Sequence, residues 1–428
     1  MGTDCSRIKV GVLVGGREGG GSANSILGLV GRIDPTAFDV TVVACDDGPF
    51  TSRMRGAGQK CHVLDTGWPP PLRINTARGT RVRWVGYPLW LRWIARTVGL
   101  LCREIRAHRF DIIHSHYHHF HLIAAVACRL TGRRCVWHWR GQLEQPPPEC
   151  VAGGSPGASP LGRLGFRWSL LRRLAWLIRA FERRHVWSIA VSQATLRSVR
   201  PFVGRRCTVV YNGVPDVGSA ARGMLRSLPA LDSEVQLVGM VATFNPRKGH
   251  HVFLEAAAEV CKWHADVHFV HIGGETAAGQ GEYRSRLLTR TRELGLEGRV
   301  HWLGHRDCAR ELIADLNIAT LCTLPPGEGF PLTILEAMVQ GVPVISSDCG
   351  PAGEVITDGV TGLLVPPGDP KALAAAICRL LDDIAERERI GVAGERLCRE
   401  RFDINLTVRQ VENIYRGLLG RPVEGRGW

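Results

Sequence analysis

Short runs of β-branched and other apolar residues alternate along the whole chain with longer segments of helical periodicity. The runs that fit strands are 8–14, 40–44, 112–114, 135–138, 188–191, 235–241, 267–272, 300–303, 318–321 and 344–346. Runs that are apolar on both faces and separated by helices are typical of parallel strands covered on both sides. The pattern therefore predicts an α/β protein in which a doubly wound parallel sheet occurs twice.

The length of the chain indicates more than one domain. Its 428 residues exceed the ~250–300 at which single hydrophobic cores stop growing. A composition with 45% hydrophobic and 22% charged residues excludes a largely disordered chain. Gly, Pro and polar residues between positions 215 and 233 are typical of a linker, so we predict a first domain over 1–222 and a second over 223–405. A stretch rich in Pro, Gly and Ser over 142–162 predicts a mobile loop in the first domain.

The charge balance indicates an anionic partner. The chain has 54 Lys and Arg residues against 40 Asp and Glu residues, a formal net charge of +14. Such an excess suits nucleic acid, a phosphorylated small molecule or an acidic membrane face, and composition alone does not choose among them. The 14 cysteines include no Cys-x-x-Cys pair, which favours reduced, buried thiols in a cytoplasmic protein.

Two segments, 88–109 and 163–184, combine arginine with tryptophan on helical spacing. In the first, Trp and aliphatic residues share one helical face and four arginines form a stripe on another: Arg92, Arg96, Arg103 and Arg106. One interpretation is an ordinary helix with a solvated cationic face. A second is a helix that lies on anionic lipid headgroups, with Trp90, Trp93 and Trp168 as interfacial anchors. Nucleic-acid binding is the third, although no recognised nucleic-acid motif accompanies the charge.

A glycine-rich loop follows the first predicted strand and precedes a helix-like run. Gly19, Gly20 and Gly21 lie at its end, where backbone N–H groups and a helix N-terminus can approach an anion. The loop does not spell Gly-x-Gly-x-x-Gly, so a tight turn and a cradle for phosphate or substrate both remain open.

Histidines concentrate at the ends of two predicted strands. The segment 111–121 contains His114 and His116, which strand alternation places on one face, and His138 ends the next apolar run. Three interpretations are open: a zinc site, a cluster at the substrate edge of the sheet, or ordinary packed histidines. Ligands of clear zinc spacing do not follow, which favours the second.

The most specific signal lies in the second half, where Glu328 and Glu336 are eight residues apart in the phrase Glu-Gly-Phe-Pro-Leu-Thr-Ile-Leu-Glu. Gly329 and Pro331 precede a helix-like run, so the phrase predicts a carboxylate on a loop and a second carboxylate in the helix that follows. Backbone N–H groups at such a helix start suit a diphosphate, with a carboxylate for sugar hydroxyls on either side.

With its neighbours, this phrase resembles the Glu-x7-Glu signature of retaining GT-B glycosyltransferases of family 4 (glycosyl transferases group 1). Further features occur in the family's order: the glycine loop, Asp111/His114/His116, His138, 191–192, 211–214, 248–249, 273–274 and 303–304. The resemblance implies a GT-B fold, with two Rossmann-like doubly wound domains facing a central cleft. It further implies a C-terminal helix over 406–428 that crosses back to the first domain, which binds the acceptor while the second binds the donor.

The resemblance also implies roles for individual residues. The catalytic residues would be Glu328, which holds the donor sugar, His138, which contacts the sugar from the other domain, and Lys248, which neutralises the departing diphosphate. Glu336 would bind the nucleotide ribose. The remaining donor-binding positions would be Arg247, Gly329, Phe330, Pro331 and Leu332, and the phosphate and acceptor side would be lined by Gly19, Gly20 and Gly21. The family usually has arginine five residues before the motif lysine, where this chain has Thr243, and Arg247 is the candidate replacement.

The function implied is a metal-independent, retaining transfer of a sugar from a nucleotide-diphosphate donor, without a cofactor. The expected acceptor is a lipid-linked or polysaccharide-precursor glycan at the cytosolic face of a membrane, with the protein cytoplasmic or peripheral on the inner face. The alternatives are a catalytically silent GT-B binding or scaffold subunit, a soluble small-molecule glycosyltransferase, and a nucleic-acid-binding protein that uses the +14 charge. The donor base, the sugar and the acceptor are left open.

Overall fold

The structure, a computed structural model, divides into two compact units. It describes residues 7–17, 19–66, 73–76, 79–82, 86–143, 185–216, 222–228, 231, 235–275, 280–325 and 327–423. The first unit comprises Met1–Val191, Thr195–Val210 and Val408–Trp428, and the second comprises Ser192–Ala194 and Tyr211–Thr407. Apart from Ser192–Ala194, the first unit runs without interruption to Val210, and the linker composition places the domain boundary after residue 222.

The first unit contains a seven-stranded parallel sheet and a separate antiparallel hairpin. Its strands are β1 (Ile8–Val14), β2 (Phe38–Ala44), β3 (Cys61–Val63), β4 (Arg73–Thr76), β5 (Gly79–Val82), β6 (Ile112–Ser115), β7 (Arg134–Trp139), β8 (Val186–Ala190) and β9 (Cys207–Val209). The sheet order is β3-β2-β1-β6-β7-β8-β9, and β4 pairs with β5. Its helices are α1 (Gly20–Val30), α2 (Pro49–Gly56), α3 (Gly86–His108), α4 (His118–Thr131) and α5 (Gln193–Val203).

The second unit contains a six-stranded parallel sheet of order β12-β11-β10-β13-β14-β15. These strands are β10 (Gln236–Val241), β11 (Val267–Ile272), β12 (Val300–Gly304), β13 (Ile318–Leu321), β14 (Val344–Ser347) and β15 (Leu363–Val365). A 3-10 turn (Pro246–Lys248) precedes the helices α6 (His250–Val260), α7 (Gln280–Glu293), α8 (Ala309–Ile313), α9 (Leu332–Met338), α10 (Ala352–Val355), α11 (Pro370–Asp382), α12 (Ile384–Arg401) and α13 (Ile404–Leu418). From Val408 onward, α13 belongs to the first unit.

Each sheet reverses its winding direction at one point. In the first unit the strands run outward from β1 in one direction and from β6 in the other, and in the second unit from β10 and β13. The crevice beyond the carboxyl ends of such a strand pair is where doubly wound folds bind ligands. In this chain the glycine loop and His116 follow β1 and β6, while Lys248 and Glu328 follow β10 and β13.

All ten strands expected from the sequence are present, and the doubly wound α/β architecture is confirmed twice. The strands that the pattern does not predict have three or four residues each. Such strands are too short for a pattern of apolar and polar residues to be recognised in the sequence. The predicted loop over 142–162 and the segment 163–184 fall almost entirely outside the described residues. The twelve cysteines in the described ranges are free thiols, and six of them are buried.

Among the described residues, none of the helices combines the length and the apolar character needed to span a bilayer. The helix that contains the arginine stripe, α3, buries its other face in the core of the first unit. Trp93 lies against Phe120 with ring centroids 6.3 Å apart, and Leu101 and Ile105 are fully buried. The stripe of Arg92, Arg96, Arg103 and Arg106 is exposed on the other face.

Candidate active site

Three buried histidines lie together where β6 and β7 of the first unit end. His114 and His116 are side by side with ring centroids 4.2 Å apart, as strand alternation predicts, and the ring of His138 is parallel to that of His114 at 5.2 Å. A hydrogen bond of 3.1 Å joins His114 Nε2 to His138 Nδ1. The sheet thus brings His138 to the crevice edge together with two histidines from the neighbouring strand.

Burial sets the protonation of this cluster. Desolvation lowers the pKa of His114, His116 and His138 well below the usual histidine range, and the nearby Arg140 cation acts in the same direction. Although Arg140 keeps partial exposure, desolvation lowers the pKa of its guanidinium to about 10, so it stays cationic at neutral pH. The three rings are therefore neutral, each with one N–H and one acceptor nitrogen.

Arg140 fixes the tautomer of His116. Its guanidinium donates to His116 Nδ1 at 3.1 Å and also to Ser25 Oγ on α1. Because arginine can only donate, the hydrogen of His116 is on Nε2. That atom and His138 Nε2 are buried and have no hydrogen-bond partner within the described residues.

The hydroxyl of Tyr415, on α13, completes a chain of hydrogen bonds that ends at His138. It lies 2.6 Å from His114 Nδ1, and burial raises the pKa of Tyr415, which keeps the hydroxyl protonated. When the hydroxyl donates to His114, His114 in turn donates to His138 Nδ1, and the hydrogen of His138 is held on Nε2. The arrangement makes His138 a positioned donor at the end of the sheet.

Other members of the histidine segment serve the fold. His121 bonds to Ser115 Oγ at 2.5 Å and stacks on Trp137 in the core. Asp111 accepts from the backbone N–H of Lys9 at 2.9 Å and so ties β6 to β1.

The glycine loop of the first unit ends at the start of α1. Gly19 is the residue before the helix, and Gly20 adopts a φ of 68°, in the left-handed region that favours glycine. Earlier in the loop, a Cβ on Gly16 would lie 2.1 Å from the Asp46 carbonyl oxygen, so only glycine permits this approach to the end of β2. The loop and the histidine cluster are linked through Ser25 on α1, to which Arg140 donates.

In the second unit, Lys248 and Glu328 meet although they are 80 residues apart in sequence. Lys248 Nζ lies 2.6 Å from Glu328 Oε1, which also accepts from Thr323 Oγ1 at 2.8 Å. Both charged side chains are about one-quarter exposed, which leaves them accessible to a ligand. The switch point of this sheet therefore presents a fixed carboxylate and an ammonium side by side.

Arg247 adds a second cation to the same place. Its guanidinium donates to the Gly327 carbonyl oxygen at 3.0 Å, directly before Glu328. Gly249 follows with a φ of 71°, and a Cβ there would lie 2.0 Å from the Cys322 carbonyl oxygen. Only glycine allows the Arg247–Lys248 turn to press against the end of β13, which is how both cations reach the Glu328 loop.

Glu336 is buried on α9 and pairs with a residue that the sequence does not single out. Arg310 Nε, on α8, lies 2.9 Å from Glu336 Oε1, and the side chain of Glu336 is only 10% exposed. Burial raises the pKa of Glu336, and the Arg310 cation opposes that shift. Oε2 accepts no hydrogen bond from the described residues, so the carboxylate is oriented yet keeps one oxygen for a ligand.

The loop between Glu328 and Glu336 offers fewer free backbone N–H groups than expected for binding a diphosphate. Pro331 has no N–H, and the N–H of Leu332 already donates to the Phe330 carbonyl oxygen at 3.1 Å. The ring of Phe330 packs against Tyr211, with centroids 5.6 Å apart, and the Gly329 carbonyl accepts from Ser192 Oγ at 2.9 Å. The backbone donors of this stretch that precede the proline are those of Gly329 and Phe330.

Sequence reasoning misses several residues of these two clusters: Arg140, Tyr415, Thr323 and Arg310. Arg140 comes two residues after His138, directly past the end of β7, and this position is the one signal that could have identified it. Tyr415 is 301 residues from His114, and local pattern carries no information about such a pairing.

Comparison with known families covers most of the chain. Residues 19–216 match the family described as "Glycosyltransferase Family 4", and residues 226–397 match "Glycosyl transferases group 1". A phosphatidyl-myo-inositol mannosyltransferase of Mycobacterium leprae is 30% identical over 392 residues, which is 90% of this chain and 96% of the relative.

Solved structures share the fold at low identity. A glycosyltransferase from Rickettsia africae superposes with a TM-score of 0.79 at 16% identity, over 97% of this chain and 100% of the other. The Anabaena protein HepE in complex with UDP superposes with a TM-score of 0.73 at 22% identity, over 96% of this chain and 100% of the other.

Two doubly wound sheets, with charged and histidine clusters at their switch points, define a protein of the GT-B glycosyltransferase fold. The chain belongs to the family 4 glycosyltransferases of the group 1 class, and it is a glycosyltransferase.

Proposed function

We propose that this protein is a retaining glycosyltransferase that moves a sugar from a nucleotide-diphosphate donor to a hydroxyl of a lipid-linked or polysaccharide-precursor glycan. The M. leprae relative named a phosphatidyl-myo-inositol mannosyltransferase supports a glycolipid acceptor. The observation that carries the proposal is the Lys248–Glu328 pair at the switch point of the second sheet, with Arg247 beside it.

On the donor side, each group has a task that its chemistry suits. The cations of Arg247 and Lys248 stabilise the negative charge that accumulates on the departing diphosphate. Glu328 accepts hydrogen bonds from hydroxyls of the transferred sugar, and Glu336, held by Arg310, accepts them from the ribose. The Lys248 ammonium has three N–H donors, so it can donate to the diphosphate and to Glu328 at the same time.

In the transfer itself, the bond between the anomeric carbon and the diphosphate oxygen breaks, and a bond from that carbon to the acceptor oxygen forms on the same face. The departing phosphate oxygen takes the proton of the acceptor hydroxyl. His138 donates from Nε2 to a sugar hydroxyl and orients the ring, while Gly19, Gly20 and Gly21 line the phosphate and acceptor side.

A panel of nucleotide sugars tests the donor class directly. Thermal shift should reveal stabilisation by one base and sugar over the others, and slow hydrolysis of that donor should release the nucleoside diphosphate without acceptor. Stabilisation without any hydrolysis or transfer would instead favour a silent binding subunit.

We expect activity to survive chelators. The His114–His116–His138 cluster brings ring nitrogens within 4.8 Å of one another, yet Arg140 donates into it and both nitrogens of His114 are engaged. The Arg140 guanidinium, a cation that already lies beside the trio, opposes a second cation. Turnover measured with excess EDTA should match turnover without it, and a divalent ion that is required and restores activity on addition would contradict the proposal.

The exposed face of α3 supports docking on an anionic membrane. Four arginines lie there, and Leu89 and Leu91 near the start of the helix are 56% and 61% exposed. Trp93 is in the core and Trp90 is half-buried, so the leucines replace Trp93 as candidate anchors, while Trp168 lies outside the described residues. Each arginine near an anionic surface contributes about 1 kcal/mol, so the stripe gives roughly 4 kcal/mol, enough for reversible binding.

We therefore expect the protein to sediment with vesicles that contain anionic lipid at low salt, and to be released at high salt. Replacing the four stripe arginines by glutamine should abolish sedimentation. A matched control removes the same charge from exposed arginines of the second unit: Arg284, Arg286, Arg292 and Arg306. Equal loss in both variants would indicate net charge alone, and equal sedimentation of the stripe variant and the unaltered chain would favour a soluble acceptor.

A further inference from the structure

We propose that His62, Glu104 and His108 form a binding site for Zn²⁺ or a similar divalent transition metal on the first unit. These residues belong to β3 and α3, and the transferase chemistry does not use them. Imidazole nitrogen and carboxylate oxygen are ligands that zinc commonly takes, with a fourth position left for water or an anion.

Two secondary-structure elements hold the three side chains. His62 is the middle residue of the edge strand β3 and pairs in register with Val43. Glu104 and His108 are four residues apart on α3, so they share one helical face. A metal here would join the end of the helix to a strand of only three residues.

The distances fit a tetrahedral metal centre. Glu104 Oε2 lies 3.4 Å from His62 Nδ1 and 3.2 Å from His108 Nε2, and one ligand atom from each residue lies within 4.8 Å of the other two. A tetrahedral zinc with bonds of about 2.0–2.1 Å keeps its ligand atoms roughly 3.3 Å apart. Two sides of the ligand triangle therefore already have the required length.

The orientation of the groups distinguishes this cluster from a hydrogen-bonded ion pair. Glu104 Oε2 is buried, and it accepts no hydrogen bond from the described residues although two imidazole nitrogens lie within 3.4 Å. The two rings are edge to face, at 87° with centroids 4.3 Å apart. A buried carboxylate oxygen without a donor is costly, and a cation bound between the three groups would remove that cost.

A cavity of about 460 Å³ beside the histidines provides room for the fourth ligand. Its lining includes His62 and His108 together with Lys9, Lys60 and Arg109. Lys60 is neutralised by Asp39 at 2.6 Å. The remaining cations favour an anionic fourth ligand, such as hydroxide or a carboxylate, over neutral water.

The site is separate from the transferase groups of the same unit. The cavity is lined by residues at the amino ends of β1 and β2 and by Phe110, which precedes β6. The histidine cluster around His138 is at the opposite, carboxyl edge of the sheet. Metal binding can therefore be measured without reference to sugar transfer, and its failure leaves the proposed activity untouched.

The test is a zinc titration of the full chain, freed of any purification tag and stripped with EDTA, against a chromophoric chelator. We expect one Zn²⁺ per chain, and a loss of affinity of at least about 10- to 100-fold in His62→Ala, Glu104→Gln and His108→Ala, because even outer groups around a metal contribute that much. Zn²⁺ should also raise the melting temperature of the unaltered chain and not that of the variants.

Two controls make the result specific. His305→Ala removes an exposed histidine that faces a single carboxylate, Asp307, at 3.3 Å, and should bind zinc normally. His116→Ala removes a member of the other histidine trio and should also bind normally. Loss of zinc in His116→Ala with retention in His62→Ala would overturn the assignment, as would binding no tighter than that of the variants.

Cobalt provides a readout that does not depend on the variants folding. Co²⁺ bound to the unaltered chain should give the intense visible absorption of a four-coordinate centre with nitrogen and oxygen ligands. The weak spectrum of a six-coordinate, largely hydrated ion would contradict the site.

Discussion

A Glu336→Ala variant should bind nucleoside diphosphates at least about a hundredfold more weakly than the unaltered chain. A hydrogen bond to a charged group contributes about 1.5–3 kcal/mol, so loss of two bonds to the ribose corresponds to roughly 3 kcal/mol or more. Arg310 holds the Glu336 carboxylate at 2.9 Å, so the free protein already fixes the orientation of that carboxylate. Isothermal titration with the diphosphate of the preferred donor measures the effect.

Glu328→Ala should leave the binding of nucleoside diphosphates intact and should lower turnover severely. Its removal releases Lys248 from a 2.6 Å ion pair, which leaves the ammonium available for the diphosphate. Binding of the nucleoside diphosphate should then stay equal or become tighter, while transfer falls because the sugar loses its carboxylate. The contrast between the two glutamates distinguishes a ribose group from a sugar group.

The control for both variants is Glu311→Ala, which removes an exposed carboxylate next to Arg310. It should change neither binding nor turnover. Circular dichroism and a melting curve check that Glu336→Ala folds, and Glu336→Gln repeats the test with the side-chain volume kept. If both glutamate variants bind and turn over like the unaltered chain, the assignment of the second-unit site is wrong.

The sequence predicts the parallel sheets because their strands are buried on both faces, which leaves continuous apolar runs such as Val10–Val14 of β1. It also predicts that Lys248 and Glu328 belong to one site, through the family phrase, and the structure brings them together. Edge strands such as β3 and β9 have three residues with half-buried side chains, so no run of apolar residues marks them.

Partners that come from distant segments could not be read from local pattern. Arg310 lies on a short helix of five residues, and only the fold places it against Glu336. Thr243 stands where the family usually has arginine, so the resemblance implies that another residue supplies the second cation for the diphosphate. The Arg247 guanidinium lies at the Gly327 carbonyl, 3.0 Å away, and the turn at Gly249 explains how a neighbouring position in sequence reaches the same loop.

Replacing His138 by alanine should lower turnover about a hundredfold, the range found when one positioned donor of an active site is removed. Its Nε2 is buried with no partner among the described residues, and the hydrogen on it is set through His114 by Tyr415. Tyr415→Phe removes a neutral hydrogen bond of 2.6 Å and should lower turnover by about 3- to 10-fold. Steady-state kinetics on purified variants give both numbers, with the donor Michaelis constant little changed in Tyr415→Phe.

The double variant shows whether Tyr415 acts through His138. If it does, Tyr415→Phe should have no further effect on turnover once His138 is alanine, because the atom that it orients is absent. The matched control is Tyr283→Phe in the second unit, since its buried hydroxyl has no hydrogen-bond partner in the described ranges and its loss should leave turnover unchanged. Independent, additive effects of the two changes would contradict the proposed hydrogen-bond chain from Tyr415 through His114 to His138. They would mean that Tyr415 stabilises the first unit without setting the tautomer of His138.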